Sequence, residues 1–351
     1  MPAVLDPAPA PSTSRSGRDP ASTPRPRGPL SAALLDGLTG RRPIGPAPDV
    51  VAADPEQVLA CDDLQLSLYC IHELSYRGFA DVDPDLEVHP DVHAWRLVLE
   101  RAFEGALRTL TLPEVDAWGG EPLGHLDHHS VERGRSLSHE LLEAADLGRF
   151  REVLVHRSAY QLKEADPHSW ALPRTGGAAK AALVEIQMDE YGEGRPGRSH
   201  AELFAATMRA AGLDDRYGAH LELLPGSTLA TTNLISLLGG RRRLLPALLG
   251  HLALFENTSV GPMGRWAALC DRVGLPATAR TFYDVHVEAD AHHGPLARQR
   301  LLGGHLAAHP DDGPEIVFGA AAVGLVEARF SAHLRARWAE GRSSLLGTLP
   351  H

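Results

Sequence analysis

His286, Asp290 and His293 stand at i, i+4 and i+7 in the run Phe-Tyr-Asp-Val-His-Val-Glu-Ala-Asp-Ala-His-His from Phe282 to His293. At about 100° per residue, a helix gathers these three side chains within roughly 60° of one another. Any fold of this chain must find partners for two imidazoles and a carboxylate stacked over two turns. Such a set suits a borderline metal such as iron, manganese or zinc. A polar, solvated face is the plain alternative in a chain with 19 His. Partners elsewhere in the sequence decide between the two.

The rest of the chain reads as helix. Period-2 runs of β-branched residues are essentially absent, and Gly and Pro punctuate the junctions between apolar stripes of helical spacing. The expectation is an all-α, multi-helix bundle able to hold a site between facing helices. Stripes run from Glu56 to Leu74, Val92 to Leu110, Phe150 to Asp166, Ala178 to Tyr191, His200 to Ala211, Leu244 to Thr258, Ala277 to Leu302 and Asp312 to Trp338. Ser199 is suited to cap the helix that begins at His200. Thr111 to Leu137 reads as loop.

Residues 1–52 hold 11 of the 27 prolines and are expected to be a disordered Pro/Ser/Arg-rich tail. An N-terminal helical subdomain and loop follow over 53–137, for packing or dimerisation. The principal helical domain covers 138–340, and 341–351 is a C-terminal tail.

A net charge of -11 disfavours nucleic acid as a partner. Cys61, Cys70 and Cys270 form no C-x-x-C pair and read as buried thiols of a reducing cytoplasm. The apolar stretch from Leu234 to Phe255 is interrupted by three arginines, and the N-terminus lacks the apolar core of a signal peptide. A cytoplasmic protein with no membrane partner is expected.

Candidate partners for the His-Asp-His stripe can be named. Glu190 and His200 flank a Gly-rich loop that can fold one helix back on the other. Glu164 lies near the end of the preceding helix. Glu256 follows Leu252-Ala-Leu-Phe255, where a carboxylate is costly to bury without a cation or donor. Glu185, Asp189 and Glu193 read as solvated. His125, His128 and His129 cluster too, but no carboxylate or thiol pattern accompanies them in sequence. The chain contains no Glu-x-x-His, which disfavours the ferritin-like di-iron proteins.

The run Val184-Glu-Ile-Gln-Met-Asp-Glu190-Tyr-Gly-Glu-Gly, followed by His200-Ala-Glu-Leu-Phe and by His286-x-x-x-Asp290-x-x-His293, resembles the haem-oxygenase-like di-iron oxidases, or iron-containing redox enzymes. The resemblance spans about Gln161 to Trp338. It implies a haem-oxygenase-like bundle with extra N-terminal helices, and two non-haem Fe ions held by Glu164, Glu190, His200, Glu256, His286, Asp290 and His293. Glu164, Glu190 and Glu256 would also serve as the catalytic carboxylates. Glu190, His200 and the three residues of the stripe match the pattern closely, while Glu164 and Glu256 rest on order and spacing.

The function so implied is an Fe(II)-dependent oxidoreductase with O2 as cosubstrate and a small organic substrate. The outcome would be N-oxygenation, oxidative decarboxylation or C–C cleavage. An external electron donor and a homodimer are compatible with it. Phe204, Leu252, Phe255 and Phe282 are candidates for the pocket wall. The alternatives are a haem-binding helical protein and a metal-free helical binding or scaffold protein.

Overall fold

The structure, a computed structural model, describes residues 20–49 and 54–349. Among these residues there is no strand. In chain order the helices are α1 Pro29–Leu38, α2 Pro55–Ala60, α3 Asp62–Glu73, α4 Pro90–Trp118, α5 Pro122–Ser130, α6 Leu137–Ala144, α7 Leu147–Gln161 and α8 Asp166–Ser169. They continue as α9 Gly177–Glu190, α10 His200–Ala210, α11 Gly226–Gly240, α12 Leu245–Thr258, α13 Val260–Arg272, α14 Thr281–Leu296, α15 Gly303–Ala308 and α16 Gly313–Ala339. A π-helical stretch, Ala297–Leu302, carries α14 into α15.

Proline explains several of the starts. It opens α1, α2, α4 and α5, where its missing N–H would have had no intrahelical partner and its fixed φ already suits a helix. This is where the reading of Thr111 to Leu137 as loop fails. α4 runs through Pro113 to Trp118, and Pro122 begins a new helix. The ~3 kcal/mol that an interior proline costs is outweighed by burial of the long α4 against its neighbours, with Trp95, Leu99, Phe103 and Leu107 all buried.

The centre of the bundle is the crossing of α12 and α16. A Cβ on Gly250 would fall 2.1 Å from the Ile316 carbonyl oxygen, and one on Gly319 would fall 1.9 Å from that of Ala247. Only glycine allows the two backbones to approach so closely. α11 packs against both α3 and α16, and its Leu234, Ile235, Leu237 and Leu238 are fully buried. The segment Pro310–Ala339 is long and apolar enough to cross a membrane by composition, but 56% of its apolar window is buried in this core.

The expected N-terminal tail is corrected where it can be seen. Leu34, Leu35 and Leu38 of α1 are buried, and the backbone N–H groups of Leu30 and Ser31 donate to Asp63 at 2.9 and 2.7 Å. Thr23 is tied to Asp81, and Arg27 donates to the Leu221 carbonyl at 2.8 Å. The leucines recur at helical spacing inside Pro-rich flanks, so average composition hid them. Residues 1–19 and 50–52 of that expectation lie outside the described residues.

The C-terminal segment is likewise docked as far as 349. Ser344 and Leu345 are buried, and Glu152 accepts from the Ser344 backbone at 2.9 Å. One apolar core runs from Leu34 to Leu345, so the expected boundary near residue 137 marks no break in packing. Cys70 and Cys270 are buried, but Cys61 is exposed.

Candidate metal centre

Five segments bring the predicted residues together. Glu190 is the last residue of α9, on its buried face. Gly192 then adopts φ 63°, and a Cβ there would strike the Arg198 backbone at 2.4 Å. This tight loop ends at Ser199, whose side chain and that of Glu202 form a reciprocal capping box. The cap makes His200 the first residue of α10, facing back toward α9. His200 Nδ1 lies 2.9 Å from Glu190 Oε2.

Glu164 does not sit on a helix as expected. α7 ends at Gln161, and Glu164 occupies the turn before α8. The next residue, Ala165, has φ 72°, a left-handed conformation that costs a non-glycine residue about 1–3 kcal/mol. Gln187 of α9 donates to the Ala165 carbonyl at 3.0 Å and helps hold the turn. The turn aims Glu164 Oε1 toward His286 Nε2, 3.6 Å away.

α14 delivers the His-Asp-His stripe as one buried face: His286, Asp290 and His293 are at most 4% exposed. His286 Nδ1 donates to the Phe282 carbonyl one turn earlier at 2.7 Å, which leaves the Nε2 lone pair facing inward. His293 Nε2 donates to Asp189 at 2.8 Å, and its Nδ1 lies 3.3 Å from Glu256 Oε2. Asp290 Oδ1 is 3.9 Å from the same Nδ1, while its Oδ2 accepts from Ser259 at 2.5 Å. Glu256 is 5% exposed, which rules out a place on the solvated face of its helix.

Two groups of donor atoms result. Glu164, Glu190, His200 and His286 form one, and Glu190, Glu256 and His293 form the other, with all donors in each group within 4.8 Å of one another. Glu190 belongs to both. Asp290 falls in neither group at that distance and reaches the second through His293.

Two observations bear on whether these residues suit iron. The first is the lack of hydrogen bonds: Glu164 Oε2, Glu190 Oε2, Glu256 Oε2, both ring nitrogens of His200 and Nδ1 of His293 are buried without a partner. Buried polar atoms are normally satisfied, and these are aimed at one another instead.

The second is charge. Burial and the neighbouring Glu256 push the Asp290 carboxyl up to about 8, and burial likewise raises Glu256. Burial alone would lower His286 and His293, yet nearby carboxylates, chiefly Glu164 and Glu256 respectively, hold them up at about 10 and about 9. A buried space that favours protons on Asp290 and Glu256 as well as on two of its imidazoles is short of positive charge. Two divalent cations would supply it against four carboxylates. Three imidazoles and four carboxylates also form a donor set suited to iron.

Beside the donors lies a cavity of about 300 Å³ lined by Glu164, Glu190, Glu256, His286 and Asp290 on one side. Tyr160, Phe255, Met263 and Trp266 supply much of its apolar wall, together with the ion pair between Arg157 and Glu327. Leu252 and Phe255 line it as expected. Phe204 and Phe282 do not; Phe282 packs on the rings of His200 and His286 instead.

Asp189 and Ser259 were missed as participants. Asp189 looked solvated because it follows no buried stripe, and its role arises only where α9 meets α14. Glu185 and Glu193 stay at the surface, paired with His292 and Arg195. If Asp189 orients His293, Asp189→Ala should weaken Fe(II) binding about 10–100-fold, whereas Glu185→Ala should not. Equal affinities in an anaerobic titration of the two variants would remove Asp189 from the site.

The sequence model for iron-containing redox enzymes matches residues 151–328, which include every residue of the two donor groups and Asp290. A nitrosourea synthase from Streptomyces achromogenes subsp. streptozoticus is 28% identical over 213 residues, 60% of this chain and 44% of that protein. The chain therefore spans less than half the length of this relative. With a match across half of its residues and, among the described residues, an all-helical fold of the haem-oxygenase-like kind around a buried His/carboxylate cluster, the chain belongs to the iron-containing redox enzyme family.

Proposed function

We propose that this protein is a non-haem di-iron oxygenase that uses O2 to oxidise a nitrogen-bearing small molecule. The observation that carries the reading is the sharing of Glu190 between two buried donor groups. A carboxylate common to two sets of imidazoles and carboxylates is suited to bridge two ions. Haem would need one or two axial ligands and would leave four buried carboxylates without a purpose. The choice of a nitrogen substrate rests on the nitrosourea synthase relative, whose product class contains oxidised nitrogen.

In this reading Glu164, Glu190, His200 and His286 would hold one iron, and Glu190, Glu256 and His293, with Asp290, would hold the other. The ferrous ions would supply electrons for the reduction of O2. The chain's own contribution is positional. His286 is fixed in one tautomer by the Phe282 carbonyl, and His293 is oriented by Asp189. Ser259 donates to one oxygen of Asp290 and fixes the orientation of that carboxylate. Tyr160, Phe255, Met263 and Trp266 exclude water from the substrate space and bias it toward an apolar body. Arg157 and Glu327 add one polar end that can orient a charged group.

Anaerobic titration should saturate at two Fe(II) per chain, and the loaded protein should consume O2 faster with an amine or guanidine substrate than with a fatty acid. Saturation at one iron would overturn the di-iron reading, and a preference for fatty acid would overturn the nitrogen substrate. Register can be checked in the same assay. His293 is fully buried, whereas the His292 side chain is 65% exposed. His293→Ala should therefore lose iron and O2 consumption, and His292→Ala should retain both.

A further inference from the structure

A second cluster lies away from the central site and shares no residue with it. The His-rich stretch, which no carboxylate pattern accompanied in sequence, acquires a carboxylate partner in the fold. α4 ends one turn after Glu114, and α5 turns back beside it, so that Nε2 of His125 and Nε2 of His129 each lie 2.7 Å from Glu114 Oε1. The three donor atoms fall within 4.8 Å of one another. His128, between the two in sequence, is turned toward Arg133, from which one of its ring nitrogens accepts a hydrogen bond.

We propose that Glu114, His125 and His129 form a mononuclear site for a borderline divalent cation, zinc in the first instance. His125 and His129 are at i and i+4 on one helical face, the spacing by which a helix offers two imidazoles to a single zinc ion. Here both imidazoles converge on one oxygen, which gathers two nitrogens and an oxygen around one point. Two nitrogens and one oxygen match the ligand preference of zinc.

Burial is graded as such a site requires. His125 is 1% exposed, and its Nδ1 has no partner, so Nε2 is its one polar engagement. The side chains of Glu114 and His129 are 33% and 38% exposed, which leaves the outer side open to a water ligand and to entry of the ion. An ion here ties the end of α4 to α5. α5 in turn packs on α12 and α16, and its Asp127 accepts from Arg298 in the π-helical stretch at 2.7 and 2.6 Å. The role is a clasp that fixes the α4–α5 corner onto the helix bearing Glu256, independent of the redox chemistry.

The test is a Zn²⁺ titration of metal-free protein against a chromophoric chelator, for wild type, Glu114→Gln and His129→Ala. Glutamine keeps an acceptor oxygen for the imidazoles but is a poor zinc ligand, so the Gln variant should fold. The expected result is one zinc equivalent fewer in each variant than in wild type, whatever number the central site takes up. Zinc should also raise the Tm of wild type by more than that of either variant. Fe(II)-dependent O2 consumption should be alike in all three. Equal zinc stoichiometry in wild type and Glu114→Gln, with the same rise in Tm, would overturn the proposal.

Discussion

Alanine at position 190 is expected to abolish iron-dependent O2 consumption and to weaken Fe(II) binding by more than about 100-fold, the upper end of what loss of an outer-shell partner costs. Glu190 alone belongs to both donor groups, so its removal damages both together. Glu164→Ala and Glu256→Ala should each spare the group they do not enter, and one of the two irons should still bind. The three variants, titrated anaerobically and analysed for metal, therefore separate a shared ligand from terminal ones. Retention of two irons by Glu190→Ala would sink the bridging role. Its own titration also matters: the imidazoles of His200, His286 and His293 hold the buried Glu190 carboxyl down at about 2 against the upward push of burial. Without metal it stays ionised throughout the neutral range, a negative charge ready for a cation.

The second large effect concerns stability. Lys163 is 1% exposed, and its ammonium lies 3.0 Å from Glu73 Oε2, which also accepts from the Tyr217 hydroxyl at 2.8 Å. The ammonium sits 4.0 Å from the Tyr76 ring centroid as well. Lys163→Ala strands a buried carboxylate and should cost about 3–5 kcal/mol. Adding Glu73→Gln to that background should recover much of the loss, because the stranded charge is then gone. Denaturant unfolding of the metal-free proteins measures both steps. A single variant as stable as wild type would show that the pair is dispensable. Lys163 immediately precedes Glu164, so the same pair anchors the turn that aims Glu164 at His286. The single variant should for that reason bind iron less tightly even where it is fully folded.

Much of this protein was determined locally. The i, i+4, i+7 stripe needs only helical geometry to bring His286, Asp290 and His293 onto one face. The capping box at Ser199 and Glu202 and the Gly-rich loop before it decide by short-range sterics that α10 turns back on α9. Residue chemistry pointed to a borderline metal, the family resemblance narrowed it to iron, and the pattern of apolar stripes implied the all-helical class. Helical periodicity also lay within the Pro-rich N-terminus at Leu30, Leu34 and Leu38, but composition averaged it away.

Other features exist only where distant segments meet. Glu114 is an ordinary helix residue until α5 folds beside it, eleven positions on from Glu114 to His125. Asp189 is a solvated acid until α14 presents His293 to it, across 104 positions. The Lys163–Glu73 pair spans 90. The approach of α12 and α16 needs glycine on both helices at matching heights. No periodicity encodes such pairings, because the energy that selects them comes from burial and from satisfying buried charge, and both are settled only when the whole core closes.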